Sequence, residues 1–310
     1  MEQIVKRKWH FPAIQFSKIE KILWKEFIYG GHLFAAGAIG VVYMGSVFCS
    51  IFISWDFLAA IYLMFYAIYF YDYTTGAEED KQTNSERSVY INADHDRKKI
   101  KLIICGATLA MSAIYIIWSD ITNMVIGYSI LVLGLMYHSY FKNLTRFIPA
   151  FKNFFVSAVW ALLVFLLLAY YSQPITSAAI LLFIFIFLRM LKIQILFDLR
   201  DTEGDKKKGL LTIPVYMKGN SEKLLNILNL LNLLTIIVIA YGIFTGIIPA
   251  ASMMILLVFF YGFSYIKDIK AEKEVTSHYL LAAGEPILWA ILMQSGNICI
   301  KLLHTSVNFI

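Results

Sequence analysis

The chain has 310 residues, of which 59% are apolar and only 15% charged, about ten points fewer charges than a soluble domain carries. A soluble fold of this size needs more polar surface to cover its core, so a membrane protein crossing the bilayer several times is the first reading. The formal charge of +6 calls for no nucleic acid, because basic residues held on one side of a membrane, facing anionic lipid, account for it.

A bilayer core of about 30 Å takes roughly 20 apolar residues per helix. Residues 1–30 read as a cytoplasmic and interfacial segment. Its opening, MEQIVKRKWHFPAIQ, shows no apolar run followed by a small-residue cleavage site. Residues 15–30 mix Lys with Ile, Leu, Trp and Phe, as in an amphipathic helix lying on a membrane. Nine candidate spans follow, over 32–53, 57–71, 100–118, 122–141, 152–171, 175–197, 223–244, 248–266 and 277–301. The expected fold class is all-α, a polytopic helical bundle forming one domain over 1–310. Cys49, Cys105 and Cys299 lie far apart in apolar runs, so neither a disulfide framework nor a zinc site is suggested.

Lys and Arg set the orientation. Lys6, Arg7 and Lys8 precede the first span; Arg97, Lys98 and Lys99, then Lys142 and Arg146, then Lys206, Lys207 and Lys208, and finally Lys267, Lys270 and Lys273 lie in alternate connections. The other side holds only Lys301. The N-terminus is therefore expected in the cytoplasm.

Two cytoplasmic connections are long, roughly 72–99 and 198–222, and long connections in compact proteins are often functional. The second begins Asp198-Leu199-Arg200-Asp201-Thr202-Glu203-Gly204-Asp205. If the sixth span continues as a helix, Gln194, Asp198, Asp201 and Asp205 share one face. Three like charges on a face repel, and a cation among them relieves this. Hard oxygen ligands suit Mg²⁺, which takes one or two carboxylates plus substrate phosphate. A solvated acidic loop end has the same spacing. The first connection places Asp72, Gly76, Asp80, Asn84 and Arg87 at helical intervals, a second acidic cluster on the same side.

The stretch DLRDTEGDKKKGLLTIPV, residues 198–215, resembles the second Asp-rich motif of the UbiA superfamily of intramembrane prenyltransferases. The nine spans, cytoplasmic N-terminus and acidic connections after the second and sixth spans fit that resemblance too. It implies that Asp198, Asp201 and Asp205 bind Mg²⁺ and a diphosphate. The first motif departs from the family pattern: Asp80 and Arg87 match its last Asp and its Arg if Asp72 takes the Asn position, but Tyr73 and Gly76 then replace two acids. A one-residue slide puts Asp72 on the first Asp and Glu79 in the last acidic place, with Thr75 at the middle one. Metal ligands expected from the resemblance are thus Asp72, Glu79, Asp80, Asp198, Asp201 and Asp205. Lys142, after Tyr137-His138-Ser139-Tyr140-Phe141, is similar to the family's phosphate-contacting lysine, and Asn153 to a pocket asparagine.

Arg189 and Lys192 lie one turn apart in the cytoplasmic half of the sixth span. Charges at that depth are costly and suggest function; both are expected to bind diphosphate oxygens, with snorkelling as the alternative. Glu285, beside Pro286, either lines the cavity or pairs with a neighbouring helix. His138 reads as interfacial.

The resemblance implies a Mg²⁺-dependent transfer of a prenyl group from a prenyl diphosphate to a small, aromatic acceptor. A terpene cyclase or lyase of the same superfamily is the alternative, and a lipid transporter or non-catalytic lipid binder a more distant one. Broken helices in paired repeats, which a transporter would show, are not evident.

Overall fold

A computed structural model describes residues 18–78, 81, 84–94, 97–266 and 276–307. The described residues form helices and no strand. In chain order they are α1 (Lys18–Tyr29), α2 (His32–Phe48), α3 (Trp55–Thr75), α4 (Ser85–Asp94), α5 (Arg97–Trp118), α6 (Ile121–Met136), α7 (Phe151–Tyr170), α8 (Ser177–Lys207), α9 (Ser221–Phe244), α10 (Leu257–Ile266) and α11 (Thr276–Val307).

Local chemistry sets several boundaries. Asp120 accepts a hydrogen bond from the Asn123 amide at 2.8 Å to start α6, and Thr176 does the same for Ala179 at the start of α8; both fill donors that a helix leaves open. Gly31, with φ 92°, makes the turn between α1 and α2, which meet at 64°. A side chain there would be strained. Pro249 opens a 3-10 turn, Ala250–Leu256, that runs into α10.

Among the described residues, six helices are long and apolar enough to cross a membrane, or seven if the bent α1–α2 pair counts as one span. The expected ninefold count therefore divides differently. The first span is the 17-residue α2, too short to pass without α1; the eighth is broken into a 3-10 turn and the 10-residue α10; and the ninth falls on α11, which is not among the six. With this span content the chain is an integral membrane protein.

Helix α8 is central: 61% of its apolar window is buried, against 17% for α5 and α6, which form an outer layer. Exposed Leu102, Leu109, Ile116 and Ile117 on α5 are suited to lipid. Packing between helices rests on close contact, since lipid tails offer no hydrophobic drive between them. Gly40 of α2 meets the backbone of α11, where an added Cβ would lie 2.0 Å from the Pro286 carbonyl oxygen. Trp160, Trp289 and Phe65 fill the interior.

The connections at the acidic end are tied together. The Leu211 amide donates to the Thr145 carbonyl at 2.9 Å, and the Ala150 amide to the Leu211 carbonyl at 2.7 Å. Ala150 adopts φ 61° and leads into α7. At the same end, α6 widens into a π-turn, Tyr137–Phe141, followed by a single turn Lys142–Leu144.

Candidate active site

A cavity of about 230 Å³ opens at this end, lined from α1, α2, α3, α4, α6 and its π-turn, α7, α8 and α11. Its polar rim carries Asp72, Arg87, His138, Lys142, Lys152, Arg200, Asp198 and Asp201. Its walls are aromatic: Phe34, Phe65, Tyr69, Tyr73, Phe155 and Trp160. Acidic and basic groups thus stand at the mouth of an apolar chamber.

Helix α8 runs unbroken through the motif, so Asp198, Asp201 and Asp205 project from consecutive turns. Asp198 is buried. Its Oδ1 lies 2.7 Å from Lys152 Nζ, and its Oδ2 accepts from Asn153 Nδ2 at 2.7 Å. Lys152 Nζ also donates to Asp205 Oδ2 at 3.0 Å. The neighbouring Arg200 grips Asp201 with two donors, Nε to Oδ1 at 2.8 Å and Nη2 to Oδ2 at 3.0 Å. Asp72 Oδ1 is 3.5 Å from His138 Nδ1. Arg87 lies over the Tyr73 ring, 4.2 Å from its centroid. The Oδ1 of Asn153 is buried and has no hydrogen-bond partner, an acceptor left open beside the motif.

The structure brings Asp72, Arg87, Lys142, Asp198 and Asp201 to one cavity, with Asn153 bonded directly to Asp198 and Asp205 joined to it through Lys152. Glu79 and Asp80 lie outside the described residues. Arg189 and Lys192, expected to hold diphosphate, do not line the cavity. They are fully buried and turned toward Glu285, whose Oε1 accepts from Arg189 Nε at 2.6 Å and whose Oε2 lies 3.6 Å from Lys192 Nζ. The reason is electrostatic: an acid deep in the bundle attracts both cations, and each leaves the membrane environment only as part of that cluster. Of the two roles open to Glu285, helix pairing is the one seen. Among the described residues no three His, Cys, Asp or Glu side chains converge closely enough to hold a metal by themselves, because Lys152 and Arg200 stand among the carboxylates.

Sequence reasoning missed Lys152, Arg200 and His138. Lys152 heads a span and so resembles an ordinary interfacial lysine; its signal was a cation beside Asn153 on a span adjoining the acidic one.

A model of the UbiA prenyltransferase family matches residues 56–290. A search of curated proteins finds no match. Among solved structures, the apo form of a UbiA homolog from Aeropyrum pernix K1 superposes with a TM-score of 0.64 at 11% identity, covering 86% of this chain and 98% of that one. A UbiA homolog from Archaeoglobus fulgidus bound to DMAPP and Mg²⁺ gives 0.61 at 15% identity, covering 88% and 98%. A digeranylgeranylglyceryl phosphate synthase gives 0.54 at 14%, covering 89% and 95%. These likenesses define a shared fold, that of membrane-embedded helical bundles. The chain belongs to the UbiA prenyltransferase family and is a membrane prenyltransferase.

Proposed function

We propose that the protein transfers a prenyl group from a prenyl diphosphate to a small aromatic acceptor, with Mg²⁺ as cofactor and both acidic segments on the cytoplasmic side. The observation that carries this reading is a cavity with a charged rim of Asp72, Asp198, Asp201, Arg87 and Lys142 and an aromatic chamber beneath it. The Archaeoglobus relatives bound to DMAPP or GPP with Mg²⁺ support the donor class and the metal. The Lys and Arg asymmetry of the sequence supports the orientation.

The donor set suits Mg²⁺: carboxylate oxygens of Asp72 and Asp201 face the same cavity, and hard oxygens plus substrate phosphate are what this ion takes. When bound, Mg²⁺ supplies positive charge to a diphosphate leaving group. Lys142 and Arg87 hold diphosphate oxygens and favour charge building there as the allylic C–O bond breaks. The faces of Tyr69, Tyr73, Phe34 and Trp160 offer negative quadrupole to the allylic cation. The packed helices keep water from quenching it. The acceptor ring then supplies the electron pair for the new bond and sheds a proton.

The irregular first motif, with Tyr73 and Gly76 where the family has acids, favours one alternative: a cyclase or lyase that traps the cation within its own chain. Incubation of the pure protein in nanodiscs with labelled prenyl diphosphates, with and without aromatic acceptors, separates the two by product mass. Turnover that survives both chelation and Asp201→Asn would overturn the proposed mechanism.

A further inference from the structure

We propose that α1 backs the donor site: a reciprocal clasp between α1 and α4, in which each helix contributes one acid and one tyrosine, positions Arg87 for a prenyl diphosphate. This rests on the diphosphate reading above. The Tyr29 hydroxyl of α1 donates to Glu86 Oε2 of α4 at 2.7 Å, and the Tyr90 hydroxyl of α4 donates to Glu26 Oε2 of α1. The two tyrosine rings lie beside each other, 5.8 Å between centroids. Glu26 and Tyr29 stand three apart in α1, and Glu86 and Tyr90 four apart in α4, so each pair shares a helix face. Both bonds end on a carboxylate and are part-buried, the setting in which a hydrogen bond is strongest.

The clasp is tied to the bundle on one side and to the cavity on the other. Glu26 Oε1 lies 3.4 Å from His32 Nε2. His32 Nδ1 lies 2.7 Å from the Tyr62 hydroxyl of α3, and its ring stacks on Tyr66 at 4.6 Å. Helix α4 is held at two further points: Ser88 Oγ donates to the Ala77 carbonyl at 2.7 Å, and Ile91 is buried. Arg87 follows Glu86 directly. Its guanidinium lies over the Tyr73 ring, and Arg87 and Tyr29 both line the cavity. Glu26, Glu86 and Tyr90 do not line it. They are positioning residues, and what they do for the donor passes through Arg87. A side chain that grips phosphate loses freedom on binding, and a helix already clasped leaves less to lose.

Binding to paired variants tests this. The dissociation constant of geranyl S-thiolodiphosphate with Mg²⁺ is measured by calorimetry on the full chain in nanodiscs, for Tyr90→Phe, Arg87→Ala and the two combined. Tyr90→Phe alone should weaken binding roughly threefold to tenfold, the effect of one lost hydrogen bond. In the Arg87→Ala background the same substitution should change binding by less than about twofold, because residues acting through one contact are not additive. Glu26→Ala should weaken binding as Tyr90→Phe does, and Glu26→Gln, whose carbonyl still accepts from Tyr90, should recover most of the loss. An unchanged constant in Tyr90→Phe overturns the proposal, as does an equal loss with and without Arg87, which would mean that the clasp acts by another route. Should Glu26→Ala not fold, the Tyr90 and Arg87 variants still decide. Failure of the wild-type chain to bind the thiolodiphosphate at all instead overturns the diphosphate reading beneath it.

Discussion

Arg189 Nε donates to Glu285 Oε1 at 2.6 Å, joining α8 to α11 across 96 positions of sequence. Around the pair, Asn232 of α9 accepts from Arg189 and from Lys192, the Tyr265 hydroxyl of α10 donates to Glu285, and Trp289 Nε1 donates to the same carboxylate at 3.3 Å. Four helices thus meet in one polar cluster around Glu285. Removing one partner of such a buried cluster strands the others and costs about 3–5 kcal/mol. Glu285→Ala should lower the unfolding temperature markedly while leaving the KM for the prenyl donor of the folded fraction near its wild-type value. A changed KM with unchanged thermal stability would return these residues to the substrate site.

Asp201 is the most open of the three motif aspartates. Asp201→Asn keeps the shape and removes the charge, and loss of one well-placed electrostatic group costs roughly 10²–10³ in kcat. Chelation should abolish turnover, and restored Mg²⁺ should return it in the wild-type chain. Single-turnover measurements with a labelled donor check both.

Lys142 leaves the π-turn facing the cavity. A hydrogen bond to a charged group contributes about 1.5–3 kcal/mol, so Lys142→Ala should raise the donor KM by roughly tenfold or more. Arginine should rescue only part of this, because its planar fork does not reproduce a compact ammonium. An unaltered KM in Lys142→Ala would remove this lysine from the diphosphate.

Trp160 closes the chamber. It donates from Nε1 to the Tyr69 hydroxyl at 2.9 Å, stands edge-on to Phe65 at 4.8 Å between centroids, and backs onto Gly37. Truncation to Ala deepens the cavity at a stability cost of about 3–5 kcal/mol. The kcat/KM ratio of farnesyl to geranyl diphosphate should rise in Trp160→Ala, and to a smaller degree in Trp160→Phe. A ratio that falls or stays fixed would place the chain terminus elsewhere.

Gly40→Ala tests the contact between α2 and α11. The new methyl would meet a backbone carbonyl, not a movable side chain, so overpacking of about 1–3 kcal/mol or more is expected. Thermal unfolding in detergent reads it, with Gly106→Ala, where nothing lies within 4 Å, as the neutral control.

Apolar runs and turn residues made the helical membrane class legible in the sequence, and the spacing of Asp198, Asp201 and Asp205 located the acidic face. Two kinds of information were not local. The partners of Arg189 and Lys192 lie on α9, α10 and α11, so depth in a span suggested phosphate where the structure shows Glu285. Likewise Lys152 gains its meaning only from α8, and His138, read as interfacial, faces Asp72 because α6 widens by a π-turn that no composition signals. The division of spans was obscured at Gly31 and Pro249, where short helices are joined by bends rather than ended by polar loops.

The two hydrogen bonds through Leu211 carry a further consequence. They weld the connection before α7 to the one after α8, so Lys152 and the Asp198–Asp205 turn travel as one block. Such a block cannot open like a jaw between its own halves. The opposite lip is built differently, with Asp72 and Arg87 on separate helices, α3 and α4.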